Sequence, residues 1–272
     1  RGAMEKVNAS SSDVVALGIT NQRETLCVWD KTTGEPLHQA ILWLDTRNRD
    51  TVATLETELG DTDALRDKCG LPISTYFSGV KLRWLIDNVP DVANAVKSGN
   101  ALIGTVDSWL IWKLTNGKNH VTDVTNASRT MMMDLKSVSW DQDLMSSLGL
   151  SECLDALPQI VPSADLNLLG RVHDGSSLAG VPITGCIGDQ QSAMVGQKCF
   201  GEGDAKTTFG TGAFTLMNTG KEPCNSKHGL LTTVLYQMGS NEDVQYVSYL
   251  FFFFLFFFFL TNGHAYCTQQ QQ

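Results

Sequence analysis

Ile183-Thr184-Gly185-Cys186-Ile187-Gly188-Asp189-Gln190-Gln191 sets an apolar run interleaved with small residues directly before a carboxylate and two amides. The spacing predicts a strand over Ile183–Gly188 that runs straight into a helix over Gln190–Gln197. A strand feeding a helix is the unit from which α/β sheets are assembled, and ligands of open α/β sheets gather at the carboxyl ends of the strands. Asp189 stands at that edge and admits two readings. It is either a helix cap, accepting from the amides of the first turn, or a general base that takes a proton from a substrate hydroxyl.

Working outward, a second unit of the same kind runs from Ala101–Val106 into Asp107–Leu114, with Asp107 as the predicted cap and Gly117 as the stop. Upstream, Val14–Thr20, Thr25–Asp30 and Ala40–Leu44 read as strands of a meander, turning at Lys31-Thr32-Thr33-Gly34. Arg47–Leu59 carries Val52, Leu55 and Leu59 at helical spacing, and Ser78–Asn88 reads as a helix capped by Ser78. Downstream, Ala205–Phe209 and Ala213–Asn218 form a predicted hairpin about Gly210-Thr211-Gly212. Strands and helices in this order predict an α/β fold containing some antiparallel strands.

The 272 residues suffice for one large or two modest domains. A net charge of −9 and a pI near 5.0, with no Lys/Arg cluster, argue against nucleic acid or an anionic membrane surface as partner. Seven scattered cysteines with no C-x-x-C spacing are most simply reduced thiols of a cytoplasmic protein. The N-terminus has no apolar secretory segment. The apolar run Val247–Leu260 is 14 residues, short of the about 20 that cross a bilayer as a helix.

Two further stretches carry candidate chemistry. In Gly18-Ile19-Thr20-Asn21-Gln22-Arg23-Glu24-Thr25 an adjacent guanidinium and carboxylate follow a strand. They are either a solvated surface pair of little energetic consequence or a clamp for a small polyhydroxylated molecule, whose hydroxyls donate to one and accept from the other. Thr207-Thr208-Phe209-Gly210-Thr211-Gly212 offers hydroxyls and backbone amides where glycine lets a phosphate approach; an ordinary hairpin turn is the alternative. Neither a G-x-x-x-x-G-K-[ST] loop nor a G-x-G-x-x-G motif is present. The five histidines show no metal spacing, Met131-Met132-Met133 reads as packing, and Asn126–Thr130 reads as a loop satisfied by its own polar groups. Trp84, Trp109 and Trp112 fall at core-packing helical positions, whereas Trp43 precedes the polar Asp45-Thr46-Arg47.

Taken together, Gly18–Thr25, Tyr76-Phe77-Ser78-Gly79-Val80-Lys81-Leu82-Arg83-Trp84-Leu85-Ile86-Asp87-Asn88, Gly104–Leu110, Thr122–Thr130 and Gly188-Asp189-Gln190-Gln191 resemble the glycerol kinases of the FGGY carbohydrate-kinase family. The likeness runs in unbroken order from about residue 13 to about residue 248. It implies an actin/hexokinase-like (ribonuclease H-like) α/β fold with an interdomain active site, and ATP-dependent phosphorylation of a glycerol hydroxyl with Mg2+. By that resemblance Arg23, Glu24, Trp43, Tyr76, Asp189 and Gln190 hold glycerol, and Asp189 is also the catalytic base. Gly210, Thr211 and Gly212 would lie against the ATP phosphates, and the protein would be a homodimer or tetramer.

The same resemblance divides the chain into a first FGGY kinase domain over residues 1–197, the beginning of the second over 198–249, and an aberrant Phe-rich and Gln tail over 250–272. It also implies that the family's first strand and phosphate loop, with its Mg2+-binding Asp, precede Arg1, and that the adenine site follows Tyr249. The near-homopolymeric Phe251–Leu260 reads as translation of a T-rich non-coding stretch. This chain alone is therefore expected not to turn over ATP and glycerol at a useful rate. A kinase of another polyol or sugar, and a non-catalytic fragment or binding subunit, remain alternatives.

Overall fold

A computed structural model describes residues 2–209, 212–226 and 228–253. Helix α1 (Gly2–Lys6) leads to strands β1 (Leu17–Asn21) and β2 (Leu26–Asp30), then helices α2 (Arg49–Leu59), α3 (Arg66–Cys69), α4 (Ser78–Asn88) and α5 (Pro90–Lys97). Strand β3 (Ala101–Thr105) runs into α6 (Val106–Leu114), and β4 (Val121–Asp123) into α7 (Val124–Ala127). A ribbon of β5 (Met133–Asp134) and β6 (Ser139–Trp140), helix α8 (Gln142–Ser147) and β7 (Gln159–Val161) lead to β8 (Ile183–Gly188), which continues into α9 (Asp189–Gly196). Strands β9 (Ala205–Phe209), β10 (Gly212–Gly220), β11 (Leu231–Tyr236) and β12 (Gln245–Phe253) complete the described chain.

Parallel pairing decides where the site lies. Strand β1 runs parallel to β8 with Asn21 opposite Gly188, so both strands end at one edge. The bend after β1 thereby meets the start of α9. Strand β4 also pairs in parallel, with β7, while β2 and β3 are antiparallel. Strands β9 to β12 form their own antiparallel sheet in the order β11-β12-β10-β9.

The expected meander is corrected. Strand β1 pairs with β8 rather than β2, and residues 40–44 contribute a single bridge, Ile41 opposite Leu26, instead of a strand. Ile41 is buried, but Leu42 and Leu44 are exposed, so the segment has no apolar face to continue the pairing. It leaves β2 and carries Trp43 toward the site.

Both predicted hydroxyl and carboxylate caps are also corrected. Helix α4 has the expected bounds, but Ser78 is its first helical residue and its hydroxyl donates to the Glu24 carbonyl at 3.0 Å. Asp107 lies inside α6, fully buried, and accepts the Thr105 and Thr122 hydroxyls. Helix α6 ends at Leu114 with Thr115 as its C-cap and Asn116 left-handed at φ 54°, and Gly117, the predicted stop, closes the turn with its amide on the Trp112 carbonyl at 2.8 Å.

The largest core gathers Leu55, Leu71, Val80, Leu82, Leu85 and Val92 from the helical layer against Leu26, Val28 and Ile103 of β2 and β3. Each such buried aliphatic side chain contributes about 1.5–3 kcal/mol of transfer free energy. Met131, Met132 and Met133 are buried as packing residues. A separate cluster joins Val124, Ala127, Met133 and Leu135 to Val234 and Tyr246, seating the antiparallel sheet on α7. Among the described residues no helix is long and apolar enough to cross a membrane, and the six described cysteines are free thiols.

Candidate active site

The bend after β1 is a strained turn held by side chains from other elements. The Thr25 amide donates to the Arg23 carbonyl at 2.8 Å, closing a three-residue turn around Glu24, whose φ is 62°. Glutamate rarely adopts that left-handed region, so surrounding contacts must hold it there. Two of them act on Glu24 itself: the Ser78 hydroxyl on its carbonyl, and Arg129 Nε on Oε1 at 2.6 Å. Asn21 ties the approach by donating to the Gln22 carbonyl at 2.9 Å and to Asn126 Oδ1 at 3.0 Å.

The surface-pair reading of Arg23 and Glu24 does not hold, since they are only 3% and 2% exposed. Nor do they pair with each other. Glu24 takes Arg129, while Arg23 Nη1 donates to Gln191 Oε1 at 3.2 Å. Arg23 Nε lies 3.2 Å from Asp189 Oδ1, an ion-pair distance without the alignment of a hydrogen bond. Burial opposes the Arg23 charge, but Glu24 and the other acidic groups around it outweigh burial and raise its pKa. Gly188 makes the approach possible, because a Cβ there would fall 2.6 Å from Arg23 Cδ.

Arg23, Glu24, Trp43, Tyr76, Asp189 and Gln190 line one cavity of about 250 Å3, together with Gln22 and Phe214. The Trp43 and Tyr76 rings meet edge to face with centroids 5.3 Å apart, and the Trp43 amide donates to Thr25 Oγ1 at 3.2 Å. Burial first, and Glu24 second, raise the Tyr76 phenol pKa, so it stays a neutral donor and acceptor. The lining thus offers a cation, two carboxylates, two amides, a phenol, an indole and a phenyl ring.

Asp189 is the first residue of α9, following Gly188 at the cap. Its Oδ1 accepts the Gln190 amide at 2.8 Å, its side chain is 45% exposed, and among the described residues no hydrogen-bond donor reaches Oδ2. Gln190 Oε1 accepts Lys206 Nζ at 2.7 Å, and the same ammonium donates to Thr208 Oγ1 at 2.6 Å. Burial, with Arg23 nearby, pulls the Lys206 pKa down to about 8. Of the predicted phosphate segment, Gly210 and Thr211 lie outside the described residues, and Gly212 opens β10.

Sequence reasoning missed Arg129, Phe214 and Lys206. Arg129 was placed in a self-satisfied loop, yet it is fully buried, ion-paired to Glu24, and lies over the Tyr76, Phe77 and Tyr249 rings at 5.7, 5.1 and 5.0 Å. No neighbour in sequence signals a partner 105 residues away. Phe214 lies two residues beyond the last stretch read for phosphate chemistry, and the alternation in β9 and β10 was the available signal.

Behind the cavity, Asp123 caps α7 by accepting the Thr125 and Asn126 amides, and takes the Ser163 hydroxyl at 2.8 Å. Thr125 Oγ1 in turn accepts the Gly188 amide at 2.8 Å, which fixes the strand end beneath Asp189. Asp107, Asp123 and Cys186 come together there, all buried. Their donors are hydroxyls and amides of the fold, so they support the strand ends.

The N-terminal domain of the FGGY family of carbohydrate kinases matches residues 1–196. A glycerol kinase of Arabidopsis thaliana is 50% identical over 252 residues, covering 90% of this chain and 47% of that protein. One from Acidiphilium cryptum (strain JF-5) is 50% identical over 243 residues, covering 88% and 48%. The chain spans about half the length of the curated relatives it matches. The crystal structure of Plasmodium falciparum glycerol kinase with ADP is similar at a TM-score of 0.81 and 42% identity, over 86% of this chain and 46% of that one. A xylulose kinase from Rhodospirillum rubrum, at 21% identity and a TM-score of 0.76 over 90% and 48%, shares the fold. With its parallel β1–β8 edge, its mixed sheets and a match over most of its length, the chain belongs to the FGGY family of carbohydrate kinases.

Proposed function

We propose that this chain carries the polyol-binding wall of a glycerol kinase, which transfers the γ-phosphoryl group of ATP to a primary hydroxyl of glycerol. The observation that carries the proposal is the cavity itself: six residues from four separated stretches converge on it, with both charges of the bend buried. Glycerol is small, neutral and flexible, so binding it requires fixed donors and acceptors aimed at its hydroxyls over an apolar surface for its carbons. Arg23 and Glu24 supply the charge-assisted bonds, and the Trp43 and Tyr76 rings supply the surface.

Asp189 acts as the base. Its exposed carboxylate takes the proton of the attacking hydroxyl, the hydroxyl oxygen forms a bond to the γ-phosphorus, and the bond to the departing ADP oxygen breaks. Phosphoryl transfer asks for positioning and charge neutralisation more than covalent chemistry. Lys206, held on Gln190 and Thr208 at the strand leading to the Gly210-Thr211-Gly212 segment, adds positive charge at that side. Mg2+ bound with the nucleotide would neutralise charge on the phosphates. The separate antiparallel sheet of β9 to β12 supports reading residues 198–249 as the beginning of a second domain.

Calorimetric titration of the purified chain with glycerol, and with xylulose and gluconate for comparison, tests the binding assignment. Heat is expected with glycerol, and Arg23→Ala is expected to abolish it. Preference for a sugar over glycerol would move the assignment to another substrate of the family. In a full-length kinase carrying this sequence, Asp189→Asn is expected to lower kcat by about 10^2–10^4 while glycerol affinity changes less. A variant within tenfold of the parent rate would remove Asp189 as the base.

A further inference from the structure

Lys81 is the least expected side chain in helix α4. It stands on the buried stripe with Ser78, Leu82 and Leu85, and is itself fully buried. Among the described residues no carboxylate lies within ion-pair distance of it. Its ammonium donates instead to three backbone carbonyls: Tyr76 at 2.5 Å, Thr75 at 2.6 Å and Trp43 at 3.4 Å. Burying a charge without a counter-ion is costly unless its protons are all used, and here three donors meet three acceptors. Burial draws its pKa down to about 8, with Glu24 and Asp45 acting in the opposite direction.

The acceptors explain why the charge is there. Thr75 and Tyr76 belong to the loop before α4, Trp43 to the segment that leaves β2, and no strand pairing joins those two stretches. Among the described residues, the polar tie between these regions apart from Lys81 is Asn48, which donates to the Thr75 carbonyl at 3.2 Å. These are the stretches that deliver Trp43 and Tyr76 to the cavity.

We propose that Lys81 is a positioning residue for the polyol site, a buried ammonium that pins the Trp43 and Tyr76 loops to each other so that their rings meet at the cavity. The proposal deepens the polyol reading and rests on it for the ligand. An apolar residue of similar length would take the ammonium from the Trp43 and Tyr76 carbonyls and leave Asn48 on Thr75 as the remaining polar tie described between the two loops.

The test compares Lys81→Met, Lys81→Arg and Leu85→Ala, the last a core truncation one turn further along the same helix that removes no hydrogen bond to either loop. Nuclear Overhauser contacts between the Trp43 and Tyr76 rings report the positioning directly, and glycerol calorimetry at 25 °C reports its consequence. Lys81→Met is expected to lose the ring contacts and bind glycerol about tenfold more weakly while folded, with Lys81→Arg intermediate. Leu85→Ala is expected to keep both. Ring contacts that survive in Lys81→Met, or that Leu85→Ala loses equally, overturn the proposal. A parent chain that binds no glycerol strikes only the polyol reading, because the ring contacts still decide whether Lys81 ties the loops.

Discussion

Two buried carboxylates sit at strand ends in separate sheets and are satisfied in opposite ways. Glu24, beyond β1, takes one guanidinium, Arg129, at 2.6 Å. Asp123, ending β4, takes only neutral donors: the Thr125 and Asn126 amides, their side chains, and Ser163. The difference follows their tasks. On the proposed reading, Glu24 faces the cavity to accept from a ligand, and a fixed cation beside it offsets the cost of burying its charge. A carboxylate that only caps a helix can be held by dipoles, at the cost that burial, with Asp107 adding to it, pushes its pKa up to about 6.

Removing the cation should break the first arrangement most severely. Arg129→Met leaves Glu24 buried and unpaired and is expected to cost about 3–5 kcal/mol of stability by chemical denaturation. Adding Glu24→Gln to that variant should recover part of the loss, and strictly additive costs would show that the two side chains are uncoupled.

Asp123 predicts a pH effect of moderate size. Its folded pKa, about 6, lies above the ordinary 3.8, so between those values the folded state holds a proton that the unfolded state has released. The contribution of Asp123 to stability therefore falls as pH rises through that window, by at most about 1.4 kcal/mol per pH unit. Denaturation midpoints across pH 4 to 7 should decline less steeply in Asp123→Asn. Parallel profiles for the two proteins would count against a raised pKa.

The smallest effect belongs to an exposed pair. Lys68 reaches Asp141 at 3.0 Å and Asp143 at 2.7 Å, yet it is 40% exposed and Asp143 is 84% exposed. Asp143→Ala should leave the denaturation midpoint unchanged within error, since water competes for both partners. A clear loss there would blur the distinction between buried and surface charge on which the comparison of Glu24 and Asp123 rests.

Much of this was legible in the sequence where chemistry and local pattern agree. The Ile183–Gly188 strand, the Ser78–Asn88 helix and the Ala205–Phe209 strand have the bounds that periodicity predicts. Six of the eight lining residues followed from the family resemblance that the motifs carry, whereas their residue types alone left Arg23 and Glu24 open between a surface pair and a clamp. What remained hidden depends on partners far apart in the chain. The meander failed because β1 prefers a strand 166 residues later, and such a pairing leaves no local trace. Ser78 and Asp107 were misread as caps because a hydroxyl or carboxylate near a helix start looks the same whether it faces the helix end or the core. Lys81 was visible as a charge on an apolar stripe, but its three carbonyls were not.

The parallel pairing of β1 with β8 has a consequence for biosynthesis. Leu17 finds its partner at Ile183 and Arg23 its acceptor at Gln191, so the ribosome must add well over a hundred residues before the first strand can be covered. At about 5–20 residues per second that interval is roughly 8 to 30 seconds, during which a nascent apolar strand waits with its hydrogen-bonding edge open. Helices α4 and α5 with β2 and β3 can consolidate in the meantime. The cavity at the β1–β8 edge is then among the last features to form on the emerging chain.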